Sequence, residues 1–170
     1  IIIEKNERRY FMAKEVKTNA MRILDRLKIK YTLNTYQCDE FIDGIHIADM
    51  LGQPYEKSFK TIVCHGKSGE YFVFVLPIDK SIDLKKASRS VGEKSVELLH
   101  VKDINKVTGY IRGGCTPIGM KKQYKTVIHK SAENFDEIIV SGGRIGTQIN
   151  ISPSDLCRAV NGKFDDIVTE

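Results

Sequence analysis

The sequence has no apolar run long enough to cross a membrane. Its longest one, Tyr71–Ile78, has eight residues, whereas a transmembrane helix needs about 20. Cysteine is also sparse, and the four present are widely scattered, with no C-x-x-C pair and no histidine at ligand spacing: Cys38, Cys64, Cys115 and Cys157. We therefore expect free thiols, a reducing cytoplasmic compartment and no structural zinc.

The motifs of several common enzyme classes are missing. The chain contains no H-E-x-x-H, no G-x-S-x-G, no Walker loop and no G-x-G-x-x-G after a strand. The histidines are far apart in the chain: His46, His65, His100 and His129. A triad assembled from distant segments stays open, because triads form in space. No local pattern supports one.

The composition is that of one globular domain. The chain has 170 residues, of which 41% are hydrophobic and 29% are charged, and this length can bury a core without disulfides or metals. Residue 1 is isoleucine, and Met12-Ala13 resembles a natural initiation point. We interpret residues 1–11 as an N-terminal extension, upstream of or added to the protein, and residues 12–170 as the domain.

Basic side chains are concentrated in one stretch. The formal net charge is +5, and between Ile104 and Ala132 there is no acidic residue but there are six basic ones: Lys106, Arg112, Lys121, Lys122, Lys125 and Lys130. A one-sided basic stretch is typical of proteins that bind RNA or phosphate. A solvated face of lysines explains the pattern equally well.

Hydrophobic spacing and turn residues predict one mixed α/β domain. Two apolar runs around a short glycine-containing turn, Thr61–His65 and Tyr71–Leu76, predict a central hairpin. Helices are predicted after Thr18 or Asn19, over His46–Leu51 before Gly52, from Asp83 to Val91, over Lys102–Val107 and after Ser152. Further strands are predicted at Tyr31–Tyr36, Lys125–His129, Glu137–Ser141 and Thr147–Ile151. No repeat or linker divides the chain.

Lys60 is a candidate functional residue because it directly abuts the start of a hydrophobic strand. A lysine beside a buried strand is costly unless its ammonium reaches water or an anion. It could hold a phosphate or polarise an ester carbonyl. Alternatively, it is a strand-end lysine whose head group simply reaches solvent.

Two glycine-rich segments are the other candidates. The loop Tyr110–Gly119 places Gly113 and Gly114 where their N–H groups could face an anion or a developing oxyanion. Cys115 lies in the same loop, but no base is identifiable near it. The second segment, Ser141–Gly146, offers a hydroxyl and a guanidinium and could equally be a hairpin turn. Together these segments indicate a pocket for a phosphate or an RNA end.

Taken in series, the segments resemble the YbaK/EbsC family of aminoacyl-tRNA deacylases, and its cysteinyl-tRNA(Pro) branch most closely. The resemblance rests on NAMRIL, YTLNTY, SFKTIV, VLPIDKSIDLKKASRSVG, TGYIRGGCTPIGMKK, KTVIHKSA, IIVSGGRIGTQINISPSDL and FDDIV. These blocks cover residues 14–170 in order. The resemblance implies a single domain of the YbaK, aminoacyl-tRNA synthetase-associated type, with a mixed, mostly antiparallel, barrel-like sheet surrounded by helices.

The resemblance also implies trans-editing, in which cysteine is removed from mischarged Cys-tRNA(Pro) and also from Cys-tRNA(Cys). The substrate's own thiol attacks the ester carbonyl and releases a thiolactone and free tRNA, so the protein needs no triad, cofactor or metal. The implied partners are the 3′ CCA end of aminoacyl-tRNA and prolyl-tRNA synthetase. Three alternatives remain open: an Ala-tRNA(Pro) deacylase that uses water, a non-catalytic tRNA-end or synthetase-binding module, and a small phosphatase or nucleotide binder.

The family's site residues are matched position by position. The resemblance implies a catalytic role for Lys60. The substrate-binding residues that it implies are Tyr36, Thr61, Gly113, Gly114, Ser141, Gly143 and Gln148. Some members carry an acidic residue where this chain has Gln148, so a carboxylate role at that position is not expected here.

Overall fold

The computed structural model describes residues 16–38 and 40–170, and the predicted boundary after residue 11 lies outside them. The described helices are α1 (Asn19–Arg26), α2 (Gly44–Leu51), α3 (Leu84–Val91), α4 (Ile104–Thr108) and α5 (Pro153–Ala159). The described strands are β1 (Thr32–Thr35), β2 (Phe59–Gly66), β3 (Tyr71–Pro77), β4 (Val96–Leu98), β5 (Lys125–His129), β6 (Ile138–Ser141), β7 (Thr147–Ile151) and β8 (Lys163–Asp165). Over these ranges no helix is both long enough and apolar enough to cross a membrane.

The strands form two sheets that meet at one point. The smaller sheet has the order β1-β7-β6 and is antiparallel. The larger has the order β4-β2-β3-β5-β8, with antiparallel pairing around the β2–β3 hairpin and parallel pairing from β3 through β5 to β8. A single bridge between Ser58, just before β2, and Ile139 on β6 joins the sheets. The prediction of a mixed, mostly antiparallel α/β domain is confirmed, although the two sheets do not close into a true barrel.

Strand β3 is buried on both of its faces and separates two hydrophobic clusters. Its alternate residues point to opposite sides of the sheet. Val73 and Val75 pack with α1 and the smaller sheet, whereas Phe72 and Phe74 pack against α3 on the other side. This double burial explains why β3 is a continuous apolar run. It also gives β2, its hairpin partner, a rigid support.

Most predicted elements are confirmed, because their ends are set by local chemistry. Thr18 caps α1 by accepting a hydrogen bond from the backbone N–H of Met21, and Gly52 ends α2 at a left-handed φ of 65°. The predicted Lys102–Val107 helix begins instead with a 3₁₀ turn over Val101–Asp103. The short edge strands β4 and β8 were not predicted.

Candidate active site

A cavity of about 430 Å³ opens where the two sheets meet. Its walls come from the start of β2, the loop before α2, the loop after α4 and the β6–β7 hairpin. The bridge between Ser58 and Ile139 fixes β2 against β6 at this place. Segments far apart in the chain therefore share one pocket, as expected of a ligand site.

The cavity brings together most of the residues singled out in the sequence. Six of the eight site residues that the resemblance implies line it: Tyr36, Lys60, Thr61, Gly113, Ser141 and Gln148. Gly114 and Gly143 are not among the lining residues. Each of them instead shapes the wall behind the cavity through its contacts with neighbouring residues.

Lys60 is the half-buried cation of the cavity. Its Nζ donates to the carbonyl oxygen of Ile78 at 3.3 Å, and among the described residues no carboxylate lies within ion-pair distance of it. Burial lowers the pKa of Lys60 below its ordinary value, and the charge of Asp79 opposes part of that shift. Because an ammonium has three donors, two remain for a ligand.

Tyr36 presents a neutral phenol to the cavity. Its side chain is buried, and its backbone N–H donates to the carbonyl of Gly146 at 2.9 Å. Burial raises the pKa of Tyr36 above its ordinary value. The hydroxyl therefore stays protonated at neutral pH and can donate a hydrogen bond to a ligand.

The two glycines of the Tyr110–Gly119 loop do different things. Gly113 adopts a φ of 86°, which favours glycine, and it lines the cavity. The backbone N–H of Gly114 instead donates to the carbonyl of Ile111 at 3.0 Å. A Cβ at Gly114 would lie 2.9 Å from the Cα of Arg144. Gly114 therefore lets two loops approach, and Gly113 is the better placed of the two to donate to a ligand.

The turn after β6 is held by its own hydrogen bonds. Ser141 Oγ accepts from the backbone N–H of Gly143 at 3.3 Å, and the hydroxyl of Thr18 donates to the carbonyl of Gly142 at 2.6 Å. Gly143 has a φ of 100°, and a Cβ there would lie 3.1 Å from Thr18. Gly143 thus positions Ser141, which lines the cavity.

Gln148 is paired with Gln53, a residue that sequence reasoning did not find. Gln53 Nε2 donates to Gln148 Oε1 at 2.7 Å, and Gln148 Nε2 donates back to Gln53 Oε1 at 3.1 Å. Asn34, opposite Gln148 in the β1–β7 pairing, also donates to Gln148 Oε1, at 3.3 Å. The amide orientation of Gln148 is therefore fixed. This wall is polar and uncharged.

The other lining residues that were missed as site residues include Phe41, Asp43 and Arg112. Asp43 caps α2, and its carboxylate accepts from the backbone N–H of His46 at 2.9 Å and contacts His46 Nδ1 at 2.7 Å. These hydrogen bonds lower the pKa of Asp43. Arg112 lies within the basic stretch noted in the sequence. No local sequence motif marks Phe41 or Asp43 as a site residue, because the tertiary fold alone places them in the cavity wall.

Cys115 lines the cavity but is not an activated thiol. Burial raises its pKa to about 11, so very little thiolate is present at neutral pH. Elsewhere among the described residues, no group of three histidine, cysteine, aspartate or glutamate side chains could hold a metal ion.

We expect Cys115 to react slowly with iodoacetamide at neutral pH. Relative to a thiol with a pKa of 9.0, its thiolate fraction should be roughly 100-fold lower, and its alkylation should be at least about 10-fold slower, since a thiolate of higher pKa is intrinsically more nucleophilic. Mass spectrometry of the labelled peptide over time, with N-acetylcysteine as the reference thiol, measures this ratio. Alkylation as fast as the reference would contradict the buried, protonated thiol.

Comparison with known proteins identifies relatives over nearly the whole chain. Residues 45–159 match the family model of the aminoacyl-tRNA editing domain. EbsC of Enterococcus faecalis, provisionally named a Cys-tRNA(Pro)/Cys-tRNA(Cys) deacylase, is 41% identical over 155 residues, which span 91% of this chain and 94% of EbsC. A proline–tRNA ligase of Fervidobacterium nodosum is 28% identical over 96 residues, or 56% of this chain and 16% of the ligase.

A solved structure shares the fold. The crystal structure of a provisionally assigned trans-editing enzyme for prolyl-tRNA synthetase superposes with a TM-score of 0.75 and 18% identity. The match covers 92% of this chain and 100% of that chain. At this level of identity, the likeness concerns the fold.

Proposed function

Because this chain belongs to the aminoacyl-tRNA editing domain family, we propose that it is a trans-editing deacylase that removes cysteine from Cys-tRNA(Pro) and from Cys-tRNA(Cys). The observation that carries the proposal is the 41% identity to EbsC over 91% of the chain. The four scattered cysteines fit a reducing compartment. We therefore place the reaction in the cytoplasm.

The reaction uses the thiol of the substrate as its nucleophile. The cysteine sulfur bonds to the ester carbonyl carbon, the bond from that carbon to the ribose oxygen breaks, and the thiol proton ends on the ribose hydroxyl. The products are a four-membered thiolactone and free tRNA. An intramolecular attack is fast when the reacting groups are already held in the right orientation, because little further entropy is lost on reaching the transition state. This chemistry suits a cavity whose own thiol, Cys115, is protonated.

The protein's contribution is to bind, orient and stabilise charge. Lys60 donates to the carbonyl oxygen as it becomes negative, and the backbone N–H of Gly113 assists. Tyr36, Thr61 and Ser141 hold the ribose hydroxyl and the α-amino group. The uncharged Gln53–Gln148 wall orients the aminoacyl group without the carboxylate that some family members carry there.

Prolyl-tRNA synthetase is the proposed protein partner. The similarity to a segment of a proline–tRNA ligase supports this proposal, because it relates the present chain to part of such an enzyme. A chain with a net charge of only +5 benefits from a partner that holds the tRNA body. Phosphate contacts would make tRNA binding salt-dependent.

The test is a deacylation assay with Cys-tRNA(Pro) and Ala-tRNA(Pro) side by side. We expect cysteine to be lost at least roughly 100-fold faster, because alanine brings no thiol to the carbonyl. Chromatography should identify thiolactone as the first product. Faster loss of alanine would replace the proposal with a water-based deacylase, and release of cysteine without thiolactone would exclude the thiol mechanism. Binding of tRNA without turnover would leave a non-catalytic module.

A further inference from the structure

A guanidinium lies over an aromatic ring at the rim of the cavity. The guanidinium carbon of Arg112 lies over the ring of Phe41, 4.0 Å from the ring centroid. Both residues line the cavity. They come from different segments, the loop before α2 and the loop after α4, so the fold brings them together.

Both members of this pair are open to solvent. The Phe41 side chain is 42% exposed, and Arg112 is also exposed. Because 42% of its surface remains in water, Phe41 gains less from folding than a fully buried phenylalanine does. Within the described part of the chain, Arg112 makes no ion pair with any carboxylate. The guanidinium of Arg112 is therefore not held by an acidic partner there.

The ring of Phe41 occupies the space beside Gly113 that a side chain would take. A Cβ at Gly113 would lie only 3.0 Å from Cδ2 of Phe41. The φ of 86° at Gly113 also favours glycine at this position. The pair is thus a fixed feature of the rim, directly beside the residue that we place at the ester.

We infer that the Phe41–Arg112 pair is a stacking platform for the terminal base of the tRNA 3′ end. This inference rests on the proposed function, which places the aminoacyl ester beside Lys60 and Gly113. The ester and the terminal base share one ribose, so an ester inside the cavity leaves the base at its rim. Guanidinium planes and aromatic rings are the groups on which unpaired bases stack.

A stacking platform does not discriminate between bases, and this property suits the proposed substrate. Stacking depends on the π-face that every base has, so it tolerates any sequence. The CCA end is common to all tRNAs, and an editing pocket gains nothing from reading it base by base. The guanidinium adds a positive charge that attracts the adjacent phosphate.

The test uses uncharged tRNA(Pro) whose terminal adenine is replaced by 2-aminopurine, a base whose fluorescence falls when it stacks. Wild-type protein should quench the fluorescence. Arg112→Lys keeps the positive charge but removes the planar guanidinium. Phe41→Leu keeps an apolar side chain but removes the aromatic ring. Each variant should lose most of the quenching and raise the Kd about 10-fold. Arg89→Lys, an exposed change on α3 outside the cavity lining, is the matched control and should behave as wild type.

The outcomes separate the platform from the proposed function. Wild-type quenching in both variants, or none in the wild-type protein, would overturn the platform, and a loss in Phe41→Leu alone would limit it to the ring. Deacylation of Cys-tRNA(Pro) by the wild-type protein is measured in parallel. If the wild-type protein deacylates Cys-tRNA(Pro) but the two variants quench the fluorescence as the wild type does, the platform is overturned and the proposed function stands. Quenching without deacylation retains the platform and overturns the deacylase.

Discussion

Lys60→Ala is expected to slow the deacylation of Cys-tRNA(Pro) by roughly 100- to 1,000-fold, the effect of removing one donor to a developing oxyanion. The side chain is half-buried in the cavity, and two of its three N–H groups have no acceptor among the described residues. Its loss should therefore affect turnover far more than folding. Single-turnover deacylation measures the rate, and circular dichroism verifies the fold.

Lys57→Ala is the matched control for this change. Lys57 lies three residues before Lys60 in the chain, and its ammonium sits over the ring of Phe135, 5.8 Å from the centroid. It is outside the cavity lining, so its removal changes the net charge equally without touching the site. If Lys57→Ala slowed the reaction as much as Lys60→Ala, the effect would be a long-range electrostatic one.

The pH profile of the wild-type enzyme should carry the signature of Lys60. Burial lowers the pKa of this lysine, so the ammonium is lost at a lower pH than for an exposed lysine. The rate should first rise with pH, as the substrate thiol deprotonates, and then fall as Lys60 loses its proton. The falling limb should be absent in Lys60→Ala. A falling limb of unchanged position in that variant would assign it to another group.

The sequence contained enough local information to predict the central hairpin and the helix ends. Two β-branched runs around a turn, a threonine before α1 and a glycine after α2 act within a few residues of where they stand. The edge strands β4 and β8 differ. Each has three residues, and each is a strand only because β2 or β5 offers it hydrogen-bond partners.

The site was predictable to the extent that its chemistry lies in short motifs. Lys60 and the two glycine loops were found because lysine at a strand start and clustered glycines are unusual locally. Gln53 was not found, because its role comes from Gln148, which is 95 positions away. Phe41 becomes a site residue only through Arg112. Pairings of this kind depend on the tertiary fold.

Gly114→Ala tests whether the two glycine-rich loops depend on each other. The added Cβ would lie 2.9 Å from Cα, 3.1 Å from the carbonyl carbon and 3.2 Å from the nitrogen of Arg144. All three are backbone atoms, so no side-chain rotation relieves the contact. We expect the free energy of unfolding to fall by about 2 kcal/mol, with a Tm lower by roughly 4–8 °C. Thermal unfolding measures both.

The same variant should lose activity by more than its stability accounts for. The methyl group separates the loop that carries Gly113 from the turn that carries Ser141, so both predicted substrate contacts move at once. A displacement of about 1 Å in a catalytic site costs up to roughly 100-fold in rate. We therefore expect a 10- to 100-fold lower rate per folded molecule, at a temperature where the variant is fully folded.

Gly69→Ala separates this local effect from general destabilisation. Gly69 lies in the β2–β3 turn, and a Cβ there has no atom within 4 Å. Its φ of 88° makes alanine cost about 1–2 kcal/mol through backbone strain alone. Comparable instability with full activity in Gly69→Ala, beside lost activity in Gly114→Ala, would locate the defect at the loop contact. Equal activity in both would mean that Gly114 serves packing alone and that Gly113 and Ser141 hold their positions independently.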